Sequence, residues 1–275
     1  MGTLYLVATP IGNLEDLSPR AVRTLRQVRL IAAEDTRLTR RLLTHFDIHT
    51  PLTSYFEHNK LTKLDNILAA LGLGDVALVS DAGTPAINDP GYELVRAALG
   101  AGHAVSPIPG PSAPLAALAA SGLPTDTFLY LGYLPRRSAD RKALAAQVAA
   151  LPHTLVFLEA PHRLYAALAD LRMVLGDRQV AVARELTKLH EQIWRGTLEG
   201  ALTYFEQEDP RGEFTLVVAG SGPGEKILWT EENLLVALKI GLKLGESPSA
   251  MAARLAQESG WERRTVYKLA VKLKG

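Results

Sequence analysis

The apolar residues in the first third of the chain alternate between short continuous runs and amphipathic stretches. The runs predict strands, and they lie at residues 4–8, 30–33, 76–79 and 104–108. Helices are predicted from Ser18-Pro19 onward, at 61–71 and at 92–99, where apolar residues recur at helical spacing. Strands that alternate with helices predict a mainly parallel sheet with helices on both of its faces.

The pattern changes after the loop and the alanine-rich helix of residues 109–126. Predicted strands follow at 154–158, 179–183, 192–194 and 214–219, with two helices among them at about 139–150 and 164–175. The last strands follow one another closely, so this half of the chain is predicted to form a mixed sheet.

The end of the chain predicts helices only. A linker at 221–226 precedes helices from Thr230 to 244, from Ser247 to about 257 and over 265–273. The glycine turn before the basic last helix resembles a helix-turn-helix, and a small bundle with solvated lysines is an equal alternative. The predicted division is an α/β domain at 1–120, a second at 121–222 and a helical unit at 228–275.

Composition restricts the possible functions only in part. The chain has 275 residues, 30 basic and 29 acidic side chains and a net charge of +1, so its total charge argues neither for nor against a nucleic-acid partner. It has no cysteine, which excludes disulfides and thiolate chemistry. No apolar run approaches the roughly 20 residues of a membrane span, and the first residues lack a basic leader. We therefore expect a soluble, cytoplasmic protein.

Three glycine- and proline-rich loops follow predicted strands: "ATPIGN" at 8–13, "SDAGTPAINDPG" at 80–91 and "PGPSA" at 109–113. Ligands bind beyond the carboxyl ends of the strands in such sheets. Gly83 lets a ligand approach the backbone closely, and Ser80 and Asp81 can accept hydrogen bonds from it. One such loop favours a plain turn, whereas three at neighbouring strands favour a binding site.

Several familiar sites are not predicted. The second loop lacks the lysine of a nucleotide-binding P-loop, and the first lacks the G-x-G-x-x-G of a dinucleotide fold. "GPSAP" is not the G-x-S-x-G of a serine hydrolase. The histidines at 45, 49 and 58 lack metal-ligand spacing, so no metal site is predicted.

Four polar strings place carboxylates beside basic groups directly after apolar segments: "AEDTR" at 33–37, "SYFEHNK" at 54–60, "EAPHR" at 159–163 and "ARELTKLHE" at 183–191. Each is compatible with surface ion pairing of little energetic value. Arg37, Arg40 and Arg41 add positive charge close to the first string, where a phosphate backbone could lie.

These loops and strings, in this order, resemble the tetrapyrrole methylase superfamily, and within it a branch that methylates ribosomal RNA. The resemblance covers residues 1 to about 220, and the helical end fits the same branch. It implies two α/β domains with S-adenosylmethionine in the cleft between them, and a homodimer. It also implies methylation of the ribose 2′-hydroxyl of one cytidine in the decoding region, on small-subunit ribosomal RNA or the assembled subunit.

The resemblance also implies site residues. It assigns the cofactor to Asp81, Ala82, Gly83, Thr84, Ile87, Ser112, Ala113, Leu158 and Phe214. Pro10 and Asn13 fall on the substrate side, and Arg37 and Arg163 would hold phosphates. The general base is one of Glu34, Asp35, Glu159, His162, Glu185 and Lys188, which the sequence does not separate.

Two other functions remain open at this point. A small-molecule methylase acting on a tetrapyrrole would share the fold and the cofactor, and methyl transfer to precorrins rather than ribosomal subunits would identify it. A non-catalytic RNA- or ribosome-binding protein would have no affinity for S-adenosylmethionine.

Overall fold

The computed structural model of the chain describes residues 2–56, 60–208, 211–222, 229–243 and 245–274. The polar string at 54–60, the linker predicted at 221–226 and the helical unit predicted at 228–275 therefore lie partly outside the described residues.

The first half of the chain forms a parallel sheet. Its elements are β1 (Thr3–Val7), α1 (Pro19–Gln27), β2 (Leu30–Ala33), α2 (Thr36–His45), β3 (Leu52–Ser54), α3 (Lys60–Leu73), β4 (Val76–Val79), α4 (Tyr92–Gly100) and β5 (Ala104–Ile108). The strand order is β3-β2-β4-β1-β5, and every pairing is parallel. The carboxyl ends of all five strands therefore meet at one edge.

Helices cover both faces of this sheet, as the sequence predicts. α1 and α2 pack on one face through Leu25 and Leu43, and α3 and α4 pack on the other through Ile67 and Leu94. Since β4 is central, all four of its residues are buried, which explains its uninterrupted apolar run. Ser18 caps α1 by accepting a hydrogen bond from the Ala21 amide.

The second half forms a mixed sheet. Its elements are α5 (Ala113–Ser121), β6 (Phe128–Tyr133), α6 (Ser138–Val148), β7 (Thr154–Glu159), α7 (Leu164–Leu175), β8 (Gln179–Arg184), β9 (Gln192–Thr197), α8 (Leu198–Phe205) and β10 (Phe214–Val218). The strand order is β6-β7-β10-β8-β9, with β6 parallel to β7 and the other pairs antiparallel. α6, α7 and α8 cover one face of this sheet.

α5 joins the two halves. It follows β5 of the first sheet, but Ala117 and Leu118 pack against Val156, Ala181 and Val217 of the second sheet. The predicted boundary at residue 120 would assign α5 to the first domain, and that division stays a prediction. The helix is therefore joined to the first sheet by the chain and to the second sheet by packing.

Three helices at the end of the chain form a separate core. α9 (Glu231–Lys243), α10 (Pro248–Ser259) and α11 (Arg263–Lys274) pack through Leu234, Met251, Leu255 and Val266. Ser247 caps α10 as predicted, because its hydroxyl accepts from the Ala250 amide. None of the helices in the described part of the chain has the length and apolar composition needed to cross a membrane.

The predicted order of a parallel sheet, a mixed sheet and a helical unit is confirmed. The sequence pattern does not predict α2, β3, β6 or α8. The expectation of two helices among the strands of the second half is therefore wrong, since α8 lies between β9 and β10.

Candidate active site

The three loops singled out in the sequence meet at the carboxyl edge of the first sheet. Thr9 and Gly83 form a two-hydrogen-bond bridge, with N···O distances of 2.9 and 3.1 Å. The Thr84 hydroxyl donates to the Pro111 carbonyl at 3.2 Å, which joins the second loop to the third. Neighbouring parallel strands thus hold the loops in a single backbone platform.

A cleft of about 630 Å³ opens between this platform and the second sheet. The first sheet contributes side chains from the loops after β1, β2, β4 and β5, including Ile11 and Glu34. The second sheet contributes Tyr130, Leu158 and Thr215, together with the loop after β8. This volume lies within the range of ligand sites in proteins, about 300–1,000 Å³.

Most of the residues expected to bind the cofactor line this cleft. The residues that do so are Asp81, Ala82, Gly83, Thr84, Ile87, Ser112, Ala113 and Leu158. Phe214 does not line it, because its side chain is fully buried among the helices on the other face of the second sheet. Successive side chains of a strand point to opposite faces, so Thr215 reaches the cleft instead.

The six candidate bases separate into two groups. Glu34, Glu185 and Lys188 line the cleft, and the Lys188 ammonium lies 2.9 Å from a Glu185 carboxylate oxygen. The other three candidates, Asp35, Glu159 and His162, do not line the cleft.

Each of the three that lie elsewhere has a local environment of its own. Asp35 caps α2 and forms two side-chain hydrogen bonds with Arg37, which lower the pKa of Asp35 to about 2. Glu159 is fully buried and pairs with Arg163 at 2.5 Å. His162 is exposed on a short 3₁₀ helix at Pro161–Arg163.

The residues expected on the substrate side also lie outside the cleft lining. Asn13 donates its backbone N–H to the Thr187 hydroxyl at 3.1 Å, so the loop after β1 contacts the second half of the chain. Pro10 lies in the same loop, and the guanidinium of Arg163 is paired with Glu159. Arg37 is exposed at the start of α2, next to the cleft.

Comparisons with known proteins agree with this geometry. The family model described as Tetrapyrrole (Corrin/Porphyrin) Methylases matches residues 3–202. The chain belongs to the tetrapyrrole methylase family. Its solved structural neighbours include the methyltransferase CobJ, with a TM-score of 0.61 and 20% identity over 80% of this chain and 95% of that one. Diphthine synthase has a TM-score of 0.62 and 14% identity over 79% and 90% of the two chains.

Curated relatives in the tetrapyrrole methylase family are more similar. The chain is 50% identical over 275 residues to the "Ribosomal RNA small subunit methyltransferase I" of Synechocystis sp., and the alignment covers 99% of each chain. It is 45% identical over 280 residues to the protein of the same name from Escherichia coli O157:H7, which covers 100% of this chain and 96% of the relative. The predicted family is thereby confirmed.

The cleft of this tetrapyrrole methylase is acidic. Among the residues that the structure describes, one ammonium lines it, that of Lys188, together with five carboxylates: Glu34, Asp81, Asp89, Glu185 and Glu213. Burial raises the pKa of Glu34, and the nearby charges of Asp89 and Asp81 raise it further. Burial likewise raises the pKa of Asp81. Such crowding of carboxylates favours a ligand that carries positive charge.

Asp89 is one of two cleft carboxylates that the sequence did not single out, and Glu213 is the other. Burial raises the pKa of Asp89 to about 6, and the charges of Asp81 and Glu213 act in the same direction, while a hydrogen bond with Ser80 opposes them. The neighbouring Tyr130 has its pKa raised to about 12 by burial and by Asp89, so its hydroxyl stays protonated. The available signal was the second aspartate of the motif "SDAGTPAINDPG".

Unusual backbone conformations concentrate around the cleft. Among the described non-glycine residues with positive φ are Ala86 (67°), Asn88 (63°), Glu185 (52°) and Thr187 (66°). Each such conformation costs about 1–3 kcal/mol and persists only where packing imposes it. Gly132 of β6 supplies some of that packing, since a Cβ there would overlap the Asn88 side chain. Contact across the cleft thus fixes the loop that carries Asp89.

Proposed function

We propose that this chain transfers the methyl group of S-adenosylmethionine to the ribose 2′-hydroxyl of a cytidine in the decoding region of small-subunit ribosomal RNA. The relatives named ribosomal RNA small subunit methyltransferase I, at 45–50% identity over nearly the whole chain, support the RNA substrate. The observation that carries the proposal is the acidic cleft at the meeting point of three strand-exit loops.

The residues present fit S-adenosylmethionine. Its sulfonium and ammonium groups are cationic, and the cleft is lined by five carboxylates and one ammonium. Asp81 and Glu34 would accept hydrogen bonds from its amino group or ribose, while Ala113 and Leu158 would contact apolar parts. When bound, it supplies a methyl group already activated by the positive sulfur, so that a ribose oxygen can displace that sulfur in one step.

The protein must then orient the ribose and remove one proton. Good orientation of reacting groups is worth about 7–11 kcal/mol. We assign the proton to the carboxylate of Asp89, which lines the cleft and has a pKa of about 6. With the donor bound, the carboxylate of Asp89 would accept the proton that the ribose 2′-hydroxyl loses when it is methylated. A base with a pKa near the working pH is the most effective kind.

The other candidates in the cleft are less suited to this role. The Lys188 side chain is paired with Glu185 at 2.9 Å, where it serves as a hydrogen-bond donor. Glu34 also has a raised pKa, but it accepts a backbone hydrogen bond from Asp81 at 3.4 Å, on the platform side of the cleft. Asp89 faces Tyr130 and Tyr133 of the opposite wall.

The function is tested by methyl transfer from tritiated S-adenosylmethionine. Small subunits and naked ribosomal RNA from a strain that lacks the enzyme serve as substrates, and the labelled nucleotide is mapped. We expect label on one cytidine, in a linkage that resists alkaline cleavage next to it because the 2′-oxygen is blocked. Label on a base, or on precorrins offered in parallel, would contradict the proposal.

Filling the cleft should prevent donor binding. Ala113→Phe adds a ring to the cleft wall at the start of α5, and we expect the Kd for S-adenosylmethionine to rise at least about tenfold, or about 1.4 kcal/mol. Titration calorimetry measures the Kd. Ala119→Phe is the matched control, because Ala119 is exposed on the same helix, and its Kd should not change. Equal Kd values for the two variants would place the donor elsewhere.

The family resemblance also predicts a homodimer in the cytoplasm, and we retain both as part of the proposal. Light scattering of the purified chain tests the first. A mass near twice the 29.7 kDa of one chain would support it.

A further inference from the structure

The two helices on one face of the first sheet are unusually basic. α1 ("PRAVRTLRQ") and α2 ("TRLTRRLLTH") contain six arginines and no carboxylate, although the whole chain has 30 basic and 29 acidic residues. The six are Arg20, Arg23, Arg26, Arg37, Arg40 and Arg41, and all of them are exposed. We call this surface the basic face.

The basic face is one continuous surface. α1 and α2 pack side by side on the same core, and the Arg26 guanidinium donates to the Phe46 carbonyl just after α2, at 2.6 Å. Arg20 donates to the Pro107 carbonyl of β5 at 2.8 Å. These contacts are with backbone carbonyls, so they position the side chains without neutralising their charge.

Nearby carboxylates neutralise only part of this charge. Arg37 pairs with Asp35 at 2.7 Å. Within the described ranges, no carboxylate forms an ion pair with the remaining five arginines. Arg37, Arg40 and Arg41, with Thr44 and His45, line a shallow groove of about 590 Å³ along α2. Arginine in such a setting suits phosphate, because its planar group donates two parallel hydrogen bonds.

The basic face begins at the cleft. Glu34, which lines the cleft, is followed directly by Asp35, whose backbone N–H donates to Asp81 at 2.9 Å, and α2 starts at the next residue. The cleft itself carries five carboxylates, so it repels phosphates. A strand whose target ribose enters the cleft must therefore have its flanking phosphates held outside.

We propose that the basic face binds the phosphate backbone of the RNA strand as it leaves the cleft. This inference rests on the proposed function, since it takes the occupant of the cleft to be a ribose of RNA. The proposed ligand is RNA because the arginines extend along α1 and α2 away from the cleft, as binding of a long polyanion requires. The contacts are to phosphate and carry no sequence information, so they position the strand rather than select it.

The test is the double variant Arg40→Gln/Arg41→Gln, measured by fluorescence anisotropy with a labelled RNA of the decoding region. Each phosphate contact to a single strand contributes about −0.7 to the slope of log K against log salt. We expect the slope to flatten by about 1.4 and binding at 0.1 M salt to weaken about 10–30-fold. The Kd for S-adenosylmethionine should stay unchanged.

The matched control is Arg29→Gln/Arg96→Gln, which removes the same charge. Arg96 lies on α4, on the opposite face of the sheet, and Arg29 lies at the far edge just before β2. We expect its salt slope to equal that of the natural chain. An equal effect of both double variants would mean that only net charge matters, and would overturn the proposal.

Further outcomes separate the two proposals. If the natural chain methylates RNA but Arg40→Gln/Arg41→Gln leaves the salt slope unchanged, the proposal that the basic face binds RNA is contradicted and the proposed function stands. If the natural chain neither binds nor methylates RNA, both the proposed function and the proposed role of the basic face are contradicted. Vesicles of anionic lipid form a second arm, and loss of vesicle binding with RNA binding intact would overturn the assignment of RNA as the occupant.

Discussion

Asp89→Asn lowers the kcat for methyl transfer by about 10²–10⁴-fold, the usual contribution of a positioned base. The amide keeps the size of the side chain and one acceptor oxygen but cannot take up the ribose proton. The measurement is single-turnover transfer from tritiated S-adenosylmethionine at saturating RNA. The Kd for the donor, from calorimetry, should change by less than about threefold, because the donor site is otherwise intact.

The pH dependence of the natural chain should agree with this assignment. Asp89 has its pKa raised to about 6, and it acts as a base only when ionised. The rate should therefore be full above that value and fall tenfold per pH unit below it. Asp89→Glu should recover part of the rate and keep a similar profile. Asp126→Asn, at an exposed site, is the control. A rate for Asp89→Asn above about half of the natural rate would eliminate Asp89 as the base.

Asp170→Ala should destabilise the second half of the chain by about 3–5 kcal/mol, the usual result of removing one partner of a buried ion pair. Asp170 on α7 accepts hydrogen bonds from Arg141 at 2.8 and 2.6 Å and from the Ser138 hydroxyl at 2.9 Å, both on α6. The Arg141 side chain is only 5% exposed, so its charge would stay buried without a carboxylate. Urea unfolding at pH 7, followed by circular dichroism, measures the loss.

The same pair predicts a response to acid. Burial raises the pKa of Asp170, but hydrogen bonds from Ser138 and Arg141 and the charge of Arg141 outweigh it, so the pKa is lowered. Its stabilisation is present above the unfolded value of about 3.9 and is lost as the pH falls through the lower folded value. The control is Asp140→Ala, at an exposed position on α6, which should change the free energy of unfolding by less than about 0.5 kcal/mol. A loss below about 1 kcal/mol for Asp170→Ala would show that the pair is not a principal contact.

The parts of the fold that depend on uninterrupted apolar runs could be predicted from the sequence. β2 and β4 are such runs, and β1 is one after its first residue. The loops that leave β1, β4 and β5 contain the glycines and prolines that mark strand ends. α2 and β6 were harder to recognise. α2 buries only Thr39 and Leu43, and the FLYLGY sequence of β6 contains a glycine with positive φ. Neither has the strong periodicity on which a prediction depends.

Parts of the site depend on contacts that no local pattern contains. In β10, FTLVV is apolar at nearly every position, so alternation could not show that Thr215 rather than Phe214 faces the cleft. Glu159 and Arg163 resembled a polar site string, yet their four-residue spacing lets them pair with each other in the interior. The raised pKa of Asp89 could not be predicted from the sequence, because it depends on burial of the carboxylate between the two sheets. Which carboxylate is buried depends on how the two walls of the cleft pack in the folded chain.

The path of α5 has a consequence for how the reactants arrive. The helix leaves the first sheet and packs on the second, so Ser112 and Ala113 at its start belong to one wall by chain order and to the other by packing. The hydrogen bond from the Asn13 amide to the Thr187 hydroxyl and the close approach of Asn88 to Gly132 also join the two walls, so we expect the gap to keep its width when empty. We therefore expect the methyl donor to find a preformed site, so that its capture depends on diffusion and charge rather than on a hinge that shuts around it.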